Sequence, residues 1–417
     1  MTKTRKLCYN INMKSAKEIN RELYLEKLRL AKDIDFIKVI TGARRCGKST
    51  LLGQFQRELL VDGVNRANII SLNLEKIEFS FIKSFEDLYY YVKDRIIDGD
   101  TNYIFIDEVQ EIEEFERAVD SLFTLDNVDL YITGSNSKML SSEIATLLTG
   151  RYIEIQMLPF SFAEYVQLRQ EKPDDIFEQF LEFGGFPAVA NQGSIELMDF
   201  SIQSLYETSI IKDINQRMPH LEIQKLERVA DFIFNNIGST ISANNIANTL
   251  TSNKEPIADK SISSYLSILS DSYILYPAER YDIKGKKLLK NLKKYYLVDQ
   301  GLRRATRSRI PKADLGHGLE NVVFLELRRR FSRVWVGKAN ENEVDFTVSD
   351  NDGNVQYIQV SYYTMDENTM KRELAPLQKI RDNQPKILLS LDVKRPKNYD
   401  GIRHINAIDW LMGVTVL

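Results

Sequence analysis

The sequence predicts an α/β fold in which helices cover both faces of a parallel sheet. Three observations support this prediction: apolar runs alternate with helical stretches, a glycine-bracketed loop follows the first run, and two carboxylates end the third. Strands that alternate with helices pair in parallel and are buried on both faces. The predicted strands are Phe36–Ile40, Asn68–Leu74, Tyr103–Ile106, Val128–Ile132 and Tyr152–Met157.

Length and composition fit a multidomain cytoplasmic protein. A chain of 417 residues accommodates about three domains, each with its own core. The net charge of −3 gives no indication of a nucleic-acid partner. The two cysteines, Cys8 and Cys46, argue against a disulfide framework and suit a reducing compartment. No apolar run reaches the roughly eighteen residues of a membrane span, so we expect no membrane partner.

The loop after the first strand has the pattern Gly-x4-Gly-Lys-Ser, and a helix follows it. Glycines let backbone N–H groups approach a polyphosphate, and the helix N-terminus adds partial positive charge there. Lys48 would reach the β- and γ-phosphates, and Ser49 would bind Mg²⁺. The alternative is a chance glycine-rich turn, which the strand–loop–helix context disfavours. The predicted ATP-binding residues of the loop are Gly42, Ala43, Arg44, Arg45, Cys46, Gly47, Lys48, Ser49 and Thr50.

Two carboxylates, Asp107 and Glu108, end the third strand. In the sheet of a phosphate-binding loop, Asp107 would hold Mg²⁺ directly or through water, and Glu108 would activate the attacking water. Acidic residues are common at strand ends, so this interpretation depends on the loop upstream. Together the two motifs predict ATP hydrolysis with ATP and Mg²⁺ as the bound cofactors.

Polar residues also follow the fourth strand, in the run Thr133-Gly134-Ser135-Asn136. At the carboxyl end of a strand beside the phosphate loop, they would contact the γ-phosphate or the attacking water. This predicts Ser135 as a nucleotide contact and Asn136 as a catalytic residue. A simple turn or helix cap is the alternative, since Ser and Asn favour both.

Arg151 stands just before the fifth strand. From there it would project toward the γ-phosphate of a neighbouring subunit, as an arginine finger does. This interpretation predicts a homo-oligomer. The alternative is an arginine favoured by the dipole at a helix C-terminus.

Four motifs resemble one group of AAA-superfamily ATPases. They are Gly-Ala-Arg-Arg-Cys-Gly-Lys-Ser, Phe-Ile-Asp-Glu-Val-Gln, Ile-Thr-Gly-Ser-Asn-Ser and Leu-Thr-Gly-Arg, with further matches at 158–165 and 183–187. The group comprises bacterial and archaeal proteins with a C-terminal domain akin to restriction endonucleases. The resemblance implies an AAA-type core in which Lys48, Ser49, Asp107 and Glu108 bind ATP and Mg²⁺. It also implies that Ser135 or Asn136 is the sensor.

We expect four parts: an ATPase core over 1–158, a helical lid or connector over 159–218, a winged-helix-like domain over 219–300 and a restriction-endonuclease-like domain over 301–417. Helices broken at 184–187 by Gly-Gly-Phe-Pro predict the lid. Three helical stretches followed by the apolar ribbons Tyr273–Tyr276 and Tyr295–Val298 are the order of a winged helix-turn-helix.

Lysines concentrate in the ribbon connection, where only Asp282 opposes them, and Lys260 lies on the predicted third helix. Such charge would neutralise the phosphates of DNA or RNA. The alternative is a solvated loop or a surface for protein docking. The predicted nucleic-acid contacts are Lys260, Lys284, Lys286, Lys287, Lys290, Lys293 and Lys294.

The last part resembles the PD-(D/E)xK fold of metal-dependent nucleases. By that resemblance Glu320, Asp345 and Gln359 occupy the positions of metal ligands in a second metal site, and Gln359 would offer a carbonyl oxygen. Ser361, however, stands where the pattern has Lys. This departure favours a degenerate nuclease fold kept for binding or assembly.

The sequence therefore predicts an ATP-hydrolysing molecular switch whose C-terminal half binds a macromolecule, with nucleic acid as the first choice. Three alternatives stay open: an ATP-gated nuclease in defence or DNA processing, a DNA-binding regulator that senses ATP, and a switch that acts on a protein partner.

Overall fold

The computed structural model describes residues 18–136, 150–211, 214–215, 218, 220–252, 257–306, 314–339 and 341–415. The apolar residues Met139, Ile144, Leu147 and Leu148 predict a helix after the fourth strand, and this segment lies outside the described ranges. Across the described residues, no helix combines the length and the apolar character that spanning a membrane requires.

The first sheet has five strands, all parallel, in the order β2-β3-β4-β1-β5. This confirms the predicted parallel sheet. Because every strand runs the same way, all five carboxyl ends lie at one edge. The strands are β1 (Ile37–Thr41), β2 (Ile69–Asn73), β3 (Asn102–Asp107), β4 (Val128–Gly134) and β5 (Tyr152–Gln156).

Helices cover both faces of this sheet: α1 (Glu22–Ala31), α2 (Lys48–Val61), α3 (Phe85–Lys93) and α4 (Phe115–Phe123). The alternation of side chains along β3 divides its residues between two cores. Ile104 and Ile106 pack with α3 and α4. Phe105 packs with α1 and α2 and stacks on Tyr131 with ring centroids 4.8 Å apart. The apolar runs are therefore buried on both faces, as parallel strands require.

A helical segment follows, with α5 (Phe162–Arg169), α6 (Pro173–Phe183), α7 (Pro187–Ala190), α8 (Ile195–Ser204) and a π-helical stretch (Leu205–Ile211). Two glycines separate α6 from α7 because the chain passes close to its neighbours there. A Cβ on Gly184, whose φ is +74°, would lie 1.7 Å from a carboxylate oxygen of Asp299. A Cβ on Gly185 would lie 2.3 Å from the carbonyl oxygen of Phe160.

Three helices and a hairpin come next, in the order expected from the sequence. They are α9 (Ile223–Asn235), α10 (Ala243–Ser252), α11 (Asp259–Asp271), β7 (Leu275–Asp282) and β8 (Lys287–Leu297), with the short strand β6 (Thr240–Ile241) paired to β8.

The rest of the chain contributes α12 (Leu302–Thr306), α13 (Leu315–Arg330), β9 (Arg333–Ala339), β10 (Asn342–Ser349), β11 (Val355–Val360), α14 (Glu367–Gln378), β12 (Lys386–Ser390), β13 (Lys397–Tyr399), β14 (Ile402–Asn406) and α15 (Ala407–Leu411).

The hairpin does not stand apart from the C-terminal strands. Strand β7 pairs in parallel with β9, so nine strands form one mixed sheet in the order β13-β14-β12-β11-β10-β9-β7-β8-β6. Residue 300, where we expected a domain boundary, thus lies within the span of one sheet. A single core joins this sheet to the helical segment and includes Phe180, Leu226, Phe324 and Trp410.

Candidate active site

The predicted nucleotide-binding motifs meet at the carboxyl edge of the parallel sheet. The glycine-bracketed loop follows β1, Asp107 and Glu108 end β3, and Ser135 and Asn136 follow β4. Strand β4 lies between β1 and β3, so it brings its own polar residues between the other two motifs. This is the crevice where open parallel sheets bind ligands.

The loop's backbone needs both of its motif glycines. Gly42 and Gly47 have φ values of +144° and +108°, and a Cβ on Gly42 would lie 2.2 Å from the carbonyl oxygen of Met157. Helix α2 begins at Lys48, so its N-terminal N–H groups lie in the loop, as a phosphate site requires. Cys46 is buried and burial raises the pKa of its thiol, which leaves it an unreactive spacer.

The side chain of Lys48 is buried and points back along the loop. Its ammonium donates to the carbonyl oxygens of Gly42 at 3.1 Å and Ala43 at 3.4 Å, and it lies 3.5 Å from Oε1 of Glu108. The remaining loop side chains differ in exposure: Ser49, Thr50 and Arg45 face solvent, and Arg44 forms an ion pair with Glu75.

Glu108 is held by several groups in an uncommon backbone conformation. Its φ is +54°, which is rare for a residue with a side chain. Burial alone would raise the pKa of its carboxyl, but the charge of Lys48 and a hydrogen bond from Gln110 Nε2 at 2.5 Å outweigh burial and lower that pKa. Glu108 is therefore ionised and tied to the loop lysine.

Asp107 is fixed by two polar partners. Its carboxylate accepts hydrogen bonds from Thr133 Oγ1 at 2.6 Å and from Asn73 Nδ2 at 2.5 Å. Burial nevertheless raises its pKa. The Thr133 hydroxyl also accepts the Glu108 backbone N–H at 2.9 Å, so one hydroxyl positions both carboxylates.

Sequence reasoning included Thr133 in the polar run after the fourth strand but gave it no role of its own, and it did not single out Asn73. Each is a polar residue at the end of an otherwise apolar strand, which was the only available signal. Ser135 and Asn136 lie where we expected them, with Ser135 buried and Asn136 half-buried at the end of β4.

Arg151 lies at the opposite edge of the sheet from the loop. Its carbonyl accepts the N–H of Ile37, the first residue of β1, and its guanidinium forms an ion pair with Asp120 at 2.8 Å. The phosphate loop follows the other end of β1, about 16 Å away along five residues. Arg151 therefore does not approach the loop of its own chain.

A cavity of about 410 Å³ adjoins the phosphate loop at Gly47 and Thr50. Its apolar wall comes from Ile19, Phe160 and Pro187, and part of its polar rim from Asn191 and Gln192, which follow α7. The cavity thus lies between the N-terminal segment, the phosphate loop and the helical segment.

Arg21 is a buried side chain that our sequence analysis missed. Its guanidinium donates to the carbonyls of Cys46 at 3.2 Å and Leu158 at 2.7 Å, forms an ion pair with Glu164 at 2.7 Å and lies over the Phe160 ring. It therefore connects the phosphate loop to the chain that leaves β5. Nothing in the local sequence marks it, because its partners are up to 143 residues away.

The predicted nucleic-acid lysines divide into exposed and enclosed residues. Lys260 on α11 and Lys284, Lys286 and Lys287 at the tip of the β7–β8 hairpin are exposed. Lys293 is half-buried and lies 3.7 Å from Glu279. Lys290 belongs to β8, but its side chain lies outside the part of the chain that is described.

Lys294 was expected to face solvent, and the structure shows that it does not. It is buried, and its ammonium pairs with Glu320 at 3.1 Å and with Glu343 at 2.8 Å. The reason is the alternation of side chains along β8, which turns Lys293 and Lys294 to opposite faces.

The three residues that were expected to bind a metal ion in a second site do lie close together. Glu320, Asp345 and Gln359 line one cavity of about 970 Å³, together with Ser361. The Ser361 hydroxyl donates to the carbonyl of Tyr363 at 3.0 Å. Over the described ranges of the chain, no three Asp, Glu, His or Cys side chains converge on a point that would hold a metal ion.

Two family models match consecutive parts of the chain, and the first of them covers the parallel sheet. Residues 35–166 match the family described as AAA domain, and residues 174–313 match a domain of unknown function (DUF8612). A Walker-type ATPase of Pyrococcus abyssi has a similar structure with a TM-score of 0.48 and 17% identity, covering 70% of this chain and 96% of its own.

Two related proteins are similar to this chain over most of its length. An uncharacterized protein of Haemophilus influenzae is 37% identical over 400 residues, covering 94% of this chain and 98% of its own length. An uncharacterized protein of Methanocaldococcus jannaschii is 28% identical over 382 residues, covering 88% of this chain and 82% of its own. The chain therefore belongs to the family of the Haemophilus influenzae protein, and its residues 35–166 match an AAA domain.

Proposed function

We propose that this protein is an ATP-hydrolysing switch that couples its nucleotide state to a macromolecule bound by its C-terminal half. The observation that carries the proposal is the convergence of Lys48, Ser49, Asp107 and Glu108 at one sheet edge. These groups supply a cation that would bind phosphate, oxygen ligands that would bind a metal and a carboxylate that would activate water.

ATP binding would change the partner of Lys48. Its ammonium lies between the Glu108 carboxylate and two loop carbonyls. The β- and γ-phosphates would attract that ammonium more strongly than a single carboxylate does, and Glu108 would be released. Loss of the neighbouring cation raises the proton affinity of a carboxylate, so Glu108 would become a better base for the attacking water.

The residues at the sheet edge fit Mg²⁺ bound together with ATP. Ser49 lies at the start of α2 and Asp107 at the end of β3, and their side chains carry the hard oxygen ligands that Mg²⁺ prefers. When bound, Mg²⁺ would supply neutralisation of the phosphate charge. Thr133 and Asn73 would keep the Asp107 carboxylate turned toward that position.

The cavity of about 410 Å³ suits the base of the nucleotide. Its apolar wall of Ile19, Phe160 and Pro187 would cover the faces of a planar ring, and Asn191 and Gln192 at its rim would offer hydrogen bonds. Because these residues come from the N-terminal segment and the helical segment, nucleotide binding would draw the two together.

Arg151 would complete the site of a neighbouring subunit. It lies far from its own phosphate loop, its side chain is half-exposed, and among the described residues its guanidinium pairs with Asp120 at the surface. An arginine that must act in trans belongs on such an outer edge. This supports a homo-oligomer.

A route exists from the phosphate loop to the C-terminal half. Arg21 joins the Cys46 carbonyl to that of Leu158, and the guanidinium of Arg329 on α13 donates to the neighbouring Pro159 carbonyl at 2.8 Å. Further along, Asp299 accepts the Gly185 N–H at 2.6 Å. A loop movement at Cys46 would therefore reach α13 through residues 158–159.

For the partner, nucleic acid is the class that the surface charge favours. Lys284, Lys286 and Lys287 project at the hairpin tip, where β7 also lies beside Lys338 of β9. Clustered lysines bind phosphates through counterion release. Three helices followed by this hairpin are the order of a winged helix, which also suits nucleic acid.

The experiment is ATP turnover in Mg²⁺, with and without single-stranded DNA, duplex DNA or RNA. We expect stimulation by at least one of them, and we expect it to weaken when Lys284, Lys286 and Lys287 are all changed to Gln. The matched control changes three exposed lysines elsewhere, Lys371, Lys379 and Lys394.

Affinity for the stimulating nucleic acid should fall with salt. For a duplex, the slope of log K against log salt should become shallower by about 0.9 for each phosphate that the triple variant no longer neutralises. Basal turnover that no nucleic acid changes would leave the ATPase intact and reassign the partner to a protein.

A further inference from the structure

The cavity of about 970 Å³ in the C-terminal half contains a lysine among carboxylates. Lys294 reaches it from β8, Glu320 from α13, and Glu343 and Asp345 from β10. The resemblance to metal-dependent nucleases implies a divalent metal at this place. The contacts of Lys294 show whether these residues could bind a divalent metal.

The ammonium of Lys294 is enclosed by acidic groups. It lies 3.1 Å from Oε1 of Glu320 and 2.8 Å from Oε1 of Glu343, and only 4% of the residue is exposed. The Tyr296 hydroxyl donates to the same Glu320 oxygen at 2.7 Å. Burial opposes the charge on Lys294, but Glu320, Asp345 and Glu343 outweigh it and raise the pKa of Lys294.

Two oxygens of the expected ligands also accept hydrogen bonds from the backbone. Oε1 of Gln359 accepts the Asp345 N–H at 3.3 Å, and its Nε2 donates to Glu373 at 3.0 Å. One Asp345 oxygen accepts the Val360 N–H at 2.9 Å. A divalent cation placed among these groups would be repelled by the ammonium beside Glu320, so Lys294 and a metal exclude each other.

We infer that Lys294 is the resident cation of this cavity, in the place where the resemblance implies a divalent metal. The nuclease-like residues then form a metal-free ion-pair cluster that holds β8 against α13 and β10. The C-terminal fold would serve binding or assembly, and it would not cleave nucleic acid. This inference does not depend on ATP hydrolysis at the first sheet.

One rival explains the same lysine differently. Lys294 would replace the lysine that Ser361 lacks, and a metal would bind beside it in an active nuclease. The two explanations differ in one observable, because the rival requires a divalent cation on Glu320 or Asp345 in the wild-type chain.

The test counts the Mn²⁺ ions bound per full-length chain, by titration calorimetry or electron paramagnetic resonance, without nucleotide. Four chains are compared: wild type, Glu320→Gln, Lys294→Met and the double variant. The phosphate loop is the same in all four, so its contribution cancels. Lys293→Met, which alters the neighbouring outward-facing lysine, is the matched control.

We expect wild type and Glu320→Gln to bind equal numbers of ions, and Lys294→Met to gain one ion that the double variant loses. We also expect no Mg²⁺- or Mn²⁺-dependent nicking of plasmid DNA by wild type. An ion bound by wild type and lost in Glu320→Gln, or nicking lost in Asp345→Ala, would overturn the inference.

A folded Lys294→Met chain that binds no additional ion would also overturn the role given to Lys294. If that variant fails to fold, two other measurements decide between the explanations. One is the comparison of wild type with Glu320→Gln, which keeps the lysine, and the other is the nicking assay.

Discussion

The ammonium of Lys48 lies 3.5 Å from the carboxylate of Glu108, and both side chains are buried at the carboxyl edge of the parallel sheet. A buried pair of this kind leaves a costly unpaired charge when one member is removed or drawn away. ATP would supply new negative charge for Lys48 and leave Glu108 free to act on water. The pair therefore connects nucleotide binding with the chemical step.

Lys48→Ala should abolish tight ATP binding. The variant removes the cation that would contact the β- and γ-phosphates, and we expect ATP affinity to fall by about a hundredfold or more, because hydrogen bonds to charged groups contribute about 1.5–3 kcal/mol each. The measurement is equilibrium binding of ATP by calorimetry. Lys76→Ala, at an exposed lysine, is the control, and wild-type affinity in the Lys48 variant would refute its role.

Thr133→Val should reduce turnover more than ATP affinity. The change keeps the volume but removes the hydroxyl that donates to Asp107 and accepts the Glu108 N–H. A buried N–H left without a partner costs about 1–3 kcal/mol, so the free energy of unfolding should also fall. Steady-state kinetics and chemical denaturation measure the two effects.

Thr347→Val provides a closely matched control for this change. The Thr347 hydroxyl is buried and has no hydrogen-bond partner within the described part of the chain, so the same substitution there removes no bond. Equal effects of the two variants on kcat would contradict the positioning role of Thr133.

Arg151→Ala should leave ATP binding unchanged and lower turnover, by about a thousandfold if it acts as an arginine finger. The trans arrangement makes a sharper prediction for mixtures. A Lys48→Ala subunit still carries Arg151, so mixing it with Arg151→Ala subunits should restore part of the turnover. No recovery in a mixture of assembled subunits, or wild-type turnover in Arg151→Ala alone, would show that Arg151 does not act in trans.

Asp299→Asn should change how stability depends on pH. Burial raises the pKa of Asp299 to about 7, above the roughly 3.9 of an unfolded aspartate. The folded chain therefore binds this proton more tightly, and the stability that the group contributes is present below about pH 4 and is lost as pH rises through 7. Asparagine does not titrate, so the difference in unfolding free energy between wild type and variant should shrink from pH 5 to 7.

The slope of that difference should be negative and at most about 1.4 kcal/mol per pH unit, as measured by urea denaturation at several pH values. The variant also loses one of the acceptors for the N–H groups of Gly185 and Gly301, so we expect it to be less stable at pH 5. A difference that stays constant from pH 5 to 7 would mean that Asp299 is ionised in the folded chain over this range.

The parallel sheet and the phosphate loop could be predicted because their signals are local. A glycine-bracketed loop between a strand and a helix is read from consecutive residues, and parallel pairing then places Asp107 and Glu108 beside it. The positioning roles of Thr133 and Asn73 escaped prediction because polar residues end many strands. Arg21 escaped it because its bonds to Glu164 and Leu158 are made only in the folded chain.

Lys294 shows the limit of reading charge from composition. In sequence it belongs to a basic stretch, next to Lys293 and close to Lys290. A strand turns successive side chains to opposite faces, so the same stretch supplies both an outward lysine and the cation buried against Glu320. Which lysine faces inward depends on the register of β8 against β7, which shifts between Ala278 and Arg280, and on its pairing with β6, which lies far from it in the sequence.

The measurement that tests the central claim most directly is ATP turnover in Mg²⁺ by wild type and by Glu108→Gln, with ATP binding measured on the same samples. We predict that wild type hydrolyses ATP and that the variant binds ATP with turnover reduced by about 10²–10⁴, the contribution of a general base. Equal kcat values in the two chains would contradict the role of Glu108, and no turnover by wild type under any condition would contradict the account of an ATP-hydrolysing switch.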